Sequence, residues 1–215
     1  MPKFSRFVAA IAALALLLTG CAAPTEQHVG DSKAGLFFNL PREWSSIDAA
    51  LLTKAQSSWG SSDSGQAYLD ALKWQKVYSP DAELTVEAAF GNSVTDVPVV
   101  YAAVRSLYDV ESQNIAGDVL TALQDVVLPV SLAADGDGLE IISNQTYIQN
   151  GHQGVRQQLA WTVGGKRQLV DTRIVLGSNV VFIFWIRCGA DARTDFETTI
   201  ERALDSLTVK EPSVA

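Results

Sequence analysis

Histidine, cysteine and methionine are scarce, at two, two and one in 215 residues. With only His28 and His152 available, a multi-histidine zinc site is excluded by count. No Gly-x-Ser-x-Gly nucleophile elbow occurs; Gly60-Ser61-Ser62 and Ser64-Gly65 do not reproduce it. There is no Walker loop and no Gly-x-Gly-x-x-Gly following a strand, so no cofactor is expected. Basic residues are also in deficit, 16 against 24 acidic, for a net charge of −8. An acidic surface repels phosphate, which excludes nucleic acid as a partner and leaves the domain no electrostatic hold on anionic lipid. The long apolar run Phe7–Leu18 would cover about 18 Å of a ~30 Å hydrocarbon core and is too short to span it.

That run has another use. Lys3 and Arg6 precede it and small residues follow, which is the layout of a secretory signal peptide over residues 1–20. Its end, Leu18-Thr19-Gly20-Cys21, resembles the lipobox of bacterial lipoprotein precursors. The resemblance implies cleavage before Cys21 and a diacylglycerol thioether on it, with palmitate-type chains holding the protein on the extracytoplasmic face of the cell membrane. Two acyl chains are physically sufficient, since each buried methylene contributes ~0.8 kcal/mol. Loss of Lys3 and Arg6 makes the mature chain two charges more negative. With Cys21 acylated, Cys188 has no intramolecular disulfide partner. It closes the apolar run Val180–Cys188 and reads as a buried thiol.

Residues 21–35 are small or polar and read as the acylated cysteine and a flexible tether; residues 36–211 are long enough for one domain. Leu36–Leu40 predicts a short strand stopped by Pro41, and Ser45–Gln56 a short helix. Ser57–Gly65 is a loop by composition. Leu72–Tyr78 and Leu84–Phe90 flank a turn-rich insert and predict a hairpin. Val97–Tyr108 reads equally as strand or helix. Apolar residues from Ile115 to Val127 predict a helix over 113–127, ended by Pro129. Gly164-Gly165 predicts a two-residue turn with Val163 opposite Lys166, Leu159 opposite Val170 and Val155 opposite Ile174 on an apolar face. On the polar face, Gln158 then opposes Asp171 and Arg156 opposes Arg173. Val180–Ile186, apolar throughout, predicts a central strand covered on both faces. Thr194–Leu207 predicts one amphipathic helix with a Thr194/Glu197 capping box, before a Thr208-Val209 edge strand.

The segments Phe38–Trp44, Gly154–Val163 and Phe182–Val209 resemble the Mog1/PsbP-like fold and, within it, actinobacterial-type lipoproteins. Glu43 stands where that family has glycine before the tryptophan. The resemblance implies an α+β fold, a central antiparallel sheet flanked by helices in an α/β/α sandwich, used as a binding platform and not known as a catalytic scaffold.

Candidate chemistry is thin. Asp135-Gly136-Asp137-Gly138 suggests calcium, but Glu140 comes too soon to close the loop, so a solvated turn is expected. Trp59, Trp74, Trp161 and Trp185 fit a ligand groove or, more simply, the core, Trp161 best of all. Arg156, Arg167 and Arg173 would form a positive spot on the outer face of the hairpin, partly offset by Asp171. Three functions remain. A noncatalytic module docking another envelope protein predicts an exposed apolar patch. A carrier of lipid or another hydrophobic ligand predicts a cavity of ~300–1,000 Å³ between sheet and helix. An envelope hydrolase predicts titratable groups converging in a cleft. The missing catalytic motifs favour the first.

Overall fold

The computed structural model describes residues 25–56, 63–90, 95–107 and 137–211. Cys21, Trp59, Asp135 and the helix expected over 113–127 lie outside the described residues.

The strands are β1 (Glu26–Asp31), β2 (Leu36–Pro41), β3 (Ser45–Ser46), β4 (Leu72–Ser79), β5 (Val99–Ser106), β6 (Asp137–Gln149), β7 (His152–Val163), β8 (Lys166–Leu176), β9 (Val180–Gly189) and β10 (Thr208–Val209). The helices are α1 (Ala49–Gln56), α2 (Asp63–Ala71), α3 (Val86–Phe90), α4 (Ala190–Asp195) and α5 (Glu197–Asp205). Every strand pairing is antiparallel, in a seven-stranded sheet ordered β3-β4-β5-β9-β8-β7-β6 and a three-stranded sheet ordered β1-β2-β10. The fold is α+β.

The β7–β8 register is the one that the turn and the alternation require: Val163 faces Lys166, Leu159 faces Val170, and Arg156 faces Arg173. Gly164 and Gly165 both have positive φ, 56° and 77°, as a turn of this hand demands. β9 lies between β5 and β8 and is buried at every position. The ambiguous segment 97–108 is settled as strand β5, whose first seven residues are buried. Both of its neighbouring ladders are filled, by β4 and β9.

The two faces of the large sheet have separate cores. On one side Phe182, Phe184 and Ile186 pack against Leu36, Phe38 and Leu40 of the small sheet and Ile200, Ala203 and Leu204 of α5. On the other, Ile183, Trp185, Leu159, Trp161 and Val170 pack with Leu52 of α1 and Val86, Ala89 and Phe90 of α3.

Three expectations are corrected. Residues 26–31 are strand β1 and not tether: Val29 is buried, His28 stacks on Phe37 at 5.8 Å, and Gln27 Nε2 donates to the carbonyls of Pro41 and Trp44. Leu84–Phe90 does not pair with β4; Thr85 accepts from the Ala88 N–H at 3.1 Å and starts α3 in place of a hairpin strand. The long C-terminal helix is two short ones broken at Phe196, and the Thr194/Glu197 box is not made, since the cap of α5 is Phe196 without a side-chain bond. The break lets Phe196 set its ring edge-on to Trp44, at 6.3 Å. Trp44 N–H meanwhile donates to the Pro41 carbonyl at 3.1 Å, and Glu43 has no positive φ, so glycine is not needed there.

Candidate functional site: the β6 edge and the polar cluster behind it

The start of β6, Asp137-Gly138, falls where a solvated turn was expected, and the rest drew no assignment from sequence, although its flank carries the signal. Asn150-Gly151 adopts a positive-φ turn (49° and 85°), and the β-branched residues before it pair with β7 from Gln149–His152 to Asp137–Thr162. The turn is tied down from outside: Asn150 Oδ1 accepts from Val209 N–H at 3.1 Å, and Gln149 Nε2 donates to the Leu207 carbonyl at 2.6 Å.

The thirteen-residue β6 is the last strand of the large sheet, and no strand among the described residues pairs with its outer edge. Ile141 and Ile148 are 61% and 66% exposed, Leu139 and Ile142 48% and 47%. Among the described residues these are four of the five large hydrophobics with that exposure, the fifth being Leu51. Edge strands are ordinarily blunted by lysine, proline or bulges. β6 has no lysine, arginine or proline; it has only two register shifts, between Asp137 and Glu140 and between Ile141 and Ser143. An apolar, nearly uncharged edge is a template for strand addition.

Behind the edge lies a polar cluster built on the paired residues of β7 and β8. Asp171, 3% exposed, accepts from Arg156 at 2.6 Å and from Gln158 at 2.8 Å, and lies 3.7 Å from Arg173. Ser143 of β6 donates to Gln158 Oε1 at 2.9 Å, extending the chain to the edge strand. The hydrogen bond from Arg156 to Asp171 raises the arginine's pKa further, as do Glu201 and Asp205 of α5. Arg173 stacks over the Tyr147 ring at 5.4 Å. That ring in turn lies over Gly154, where any Cβ would come within 2.8 Å of it, so the glycine is required. Burial pushes the Tyr147 phenol up to about 12, with Arg173 pulling the other way.

The three arginines expected to share an outer positive spot are therefore divided. Arg156 and Arg173 lie on the side of the sheet that α5 and the small sheet cover, where Asp171 bonds Arg156 and lies 3.7 Å from Arg173, and Glu201 and Asp205 of α5 add negative charge toward Arg156. Arg167, half-exposed, is paired separately with Glu140 at 2.6 Å. The polar side of a strand need not face water when its charges are internally matched, which alternation alone cannot tell.

The remaining candidates are placed as follows. Trp161 and Trp185 are core; Trp74 is partly buried against the other core. His28 Nδ1 is 2.8 Å from Asn39 Oδ1, and His152 Nδ1 is 3.6 Å from Glu211. Among the described residues no group of three metal-ligating side chains occurs. Cys188 is buried, and burial pushes its thiol up to about 11, so it stays protonated at neutral pH. A thiol reagent such as DTNB at pH 8 is expected to leave Cys188 unmodified until urea unfolds the chain; rapid labelling of native protein would show an open site. The groups with strongly shifted pKa are divided between the two faces, Tyr101 and Arg187 on one and Tyr147 and Cys188 on the other, and do not converge. A cleft of about 190 Å³ lies between β2 and α5, lined by Glu26, Asn39, Pro41, Glu43, Thr199 and Arg202.

No protein-family model matches the sequence, and no curated protein matches it. Solved structures do. The chain is similar to the solution structure of cyanobacterial PsbP (CyanoP) from Synechocystis sp. PCC 6803, with a TM-score of 0.50 at 12% identity over 89% of this chain and 96% of that one. The fold is PsbP-like. LpqN, involved in cell envelope biogenesis of Mycobacterium tuberculosis, matches with a TM-score of 0.48 at 11% identity over 86% of this chain and 90% of LpqN. A protein of unknown function from Pseudomonas aeruginosa, PA94, has a TM-score of 0.46 at 9% identity, over 87% and 99% of the two chains. The fold assignment rests on the first alone.

Proposed function

We propose that this protein is a lipoprotein of the extracytoplasmic membrane face, anchored through lipid on Cys21, that works without catalysis as a docking module for envelope protein. The observation that carries the docking reading is the β6 edge, which no strand among the described residues pairs, with its four exposed aliphatic side chains. Backbone N–H and C=O groups on such an edge supply affinity to an added strand, and the flanking side chains supply selectivity. The anchor rests on the lipobox-like Leu18–Cys21, and the acidic composition gives a lipid the task of retention. Among the described residues lipid carriage has less support: the cleft between β2 and α5 is smaller than the ~300–1,000 Å³ of ligand cavities and is lined by two glutamates and an arginine.

The test uses the full chain in its membrane, with a photo-crosslinking residue at Ile148 or, for comparison, at exposed Glu43. Protein adducts at Ile148 at least tenfold above those at Glu43 are the expected result. Lipid adducts at Ile148, or protein adducts only at Glu43, would overturn docking through this edge. The same preparation tests the anchor: Cys21→Ser should move the chain from the membrane to the soluble fraction.

A further inference from the structure

Resting on that docking reading, we infer that the occupant of the β6 edge is β6 of a second copy, paired antiparallel about a two-fold axis at Asn144. An isologous strand pair must bring residues of the same sheet face opposite one another, and those residues must tolerate each other.

The ladder positions of β6 are set by its β7 partners: Ile148 at Gln153, Tyr147 at Gly154, Thr146 at Val155, Asn144 at Gln157, Ile141 at Leu159 and Glu140 at Ala160. Reflection through Asn144 sets Thr146 opposite Ile141 and Tyr147 opposite Glu140. It also sets Ile148 opposite the Gly138-Leu139 bulge, so that two of the four exposed aliphatics, Ile148 and Leu139, meet. The two register shifts make this match; counted along an unbroken strand, Ile148 would instead oppose Glu140.

Charge points the same way. The acidic residues of β6, Asp137 and Glu140, are both at its N-terminal end, and Ile141 to Gly151 carry no charge at all. An antiparallel pair therefore holds the acids of the two copies at opposite ends. Elsewhere the mature chain, two charges more negative than the −8 of the full sequence, repels its twin. Nothing on this edge attracts a partner of opposite charge. A single strand pair buries less than the ~1,200 Å² of a standard interface, so confinement of anchored copies to one membrane is what raises their effective concentration.

The experiment places Asn144→Cys in the full, membrane-bound chain under mild oxidation. The untouched chain sets the background from Cys188, the sulfur of Cys21 being blocked as a thioether. Across the axis the two Asn144 Cα atoms would be about 4.5–5.5 Å apart, within the ~4.4–6.8 Å range a disulfide accepts. Gln149→Cys, five ladder positions away, would be separated from its twin by roughly 34 Å. Asn144→Cys should give at least tenfold more disulfide-linked dimer than Gln149→Cys, and adding Ile148→Lys should cut that yield about tenfold. An unchanged urea midpoint for each variant shows that folding is not what was altered. Equal yields at the two positions overturn self-pairing. Adducts from Ile148 to a different protein, without the Asn144 disulfide, overturn self-pairing and leave docking standing. No adduct from the edge of any kind overturns both.

Discussion

Asp171→Ala is expected to destabilise the protein by about 3 kcal/mol, the low end of the ~3–5 kcal/mol range for breaking a buried ion pair from one side. The carboxylate is 3% exposed and is shared by Arg156, Arg173 and Gln158. Its loss removes the hydrogen-bonded carboxylate of Arg156 and the carboxylate 3.7 Å from Arg173 on the covered face. Arg156 is partly exposed, at 28%, and water reaching it sets the low end of the range. Arg167→Ala is the control: both partners of its bridge to Glu140 are about half-exposed, so its loss should cost under ~1 kcal/mol. Urea unfolding at pH 7 measures both, read as a midpoint shift at constant slope. If the two variants lose the same stability, the cluster is not a structural keystone. Replacing Asp171, Arg156 and Arg173 together by leucine and methionine should recover much of the loss, because desolvation of the ions is then avoided.

Trp185→Ala should cost about 3–5 kcal/mol, as large aromatic truncations in packed cores do. The ring is buried in the middle of the central strand, 5.3 Å from Tyr101 and 5.9 Å from Phe90, joining β5 and α3 to β9. Trp185→Phe should cost far less, about 1 kcal/mol, because it keeps most of the packing and removes an indole Nε1–H that has no hydrogen-bond partner. The ratio between the two variants is the informative quantity. Similar losses from both would mean that the indole nitrogen carries a bond, to water or to an internal group. Thr172, directly opposite on β8, likewise has a buried hydroxyl without a partner, so a water shared by the two is the first alternative to check.

What could be read from the sequence was whatever is encoded over a short span. Gly164-Gly165 pins a turn, and with it every pair from Val163–Lys166 to Val155–Ile174 follows at period two. Val180–Ile186 is too apolar to face water on either side, so its central place was visible. The stripe Ile200, Ala203, Leu204 and Leu207 announced which side of the C-terminal segment is buried, though not the break at Phe196 that brings its ring to Trp44.

Other elements carry weak local signals. Leu84–Phe90 holds enough apolar residues for strand or helix, and a single Thr85 cap decides the matter. Glu26–Asp31 is polar enough to pass for a tether and becomes a strand because β2 offers it a ladder. β6 is exposed along most of its length, so it lacks the alternation that marks a half-buried strand, and the candidate docking edge was missed for that reason.

The sequence by itself determined the hairpin register and the central strand. Only the tertiary structure decided which strand ends the sheet, and which polar face turns inward around Asp171. Both depend on pairing between segments far apart in the chain, whose order no local pattern encodes.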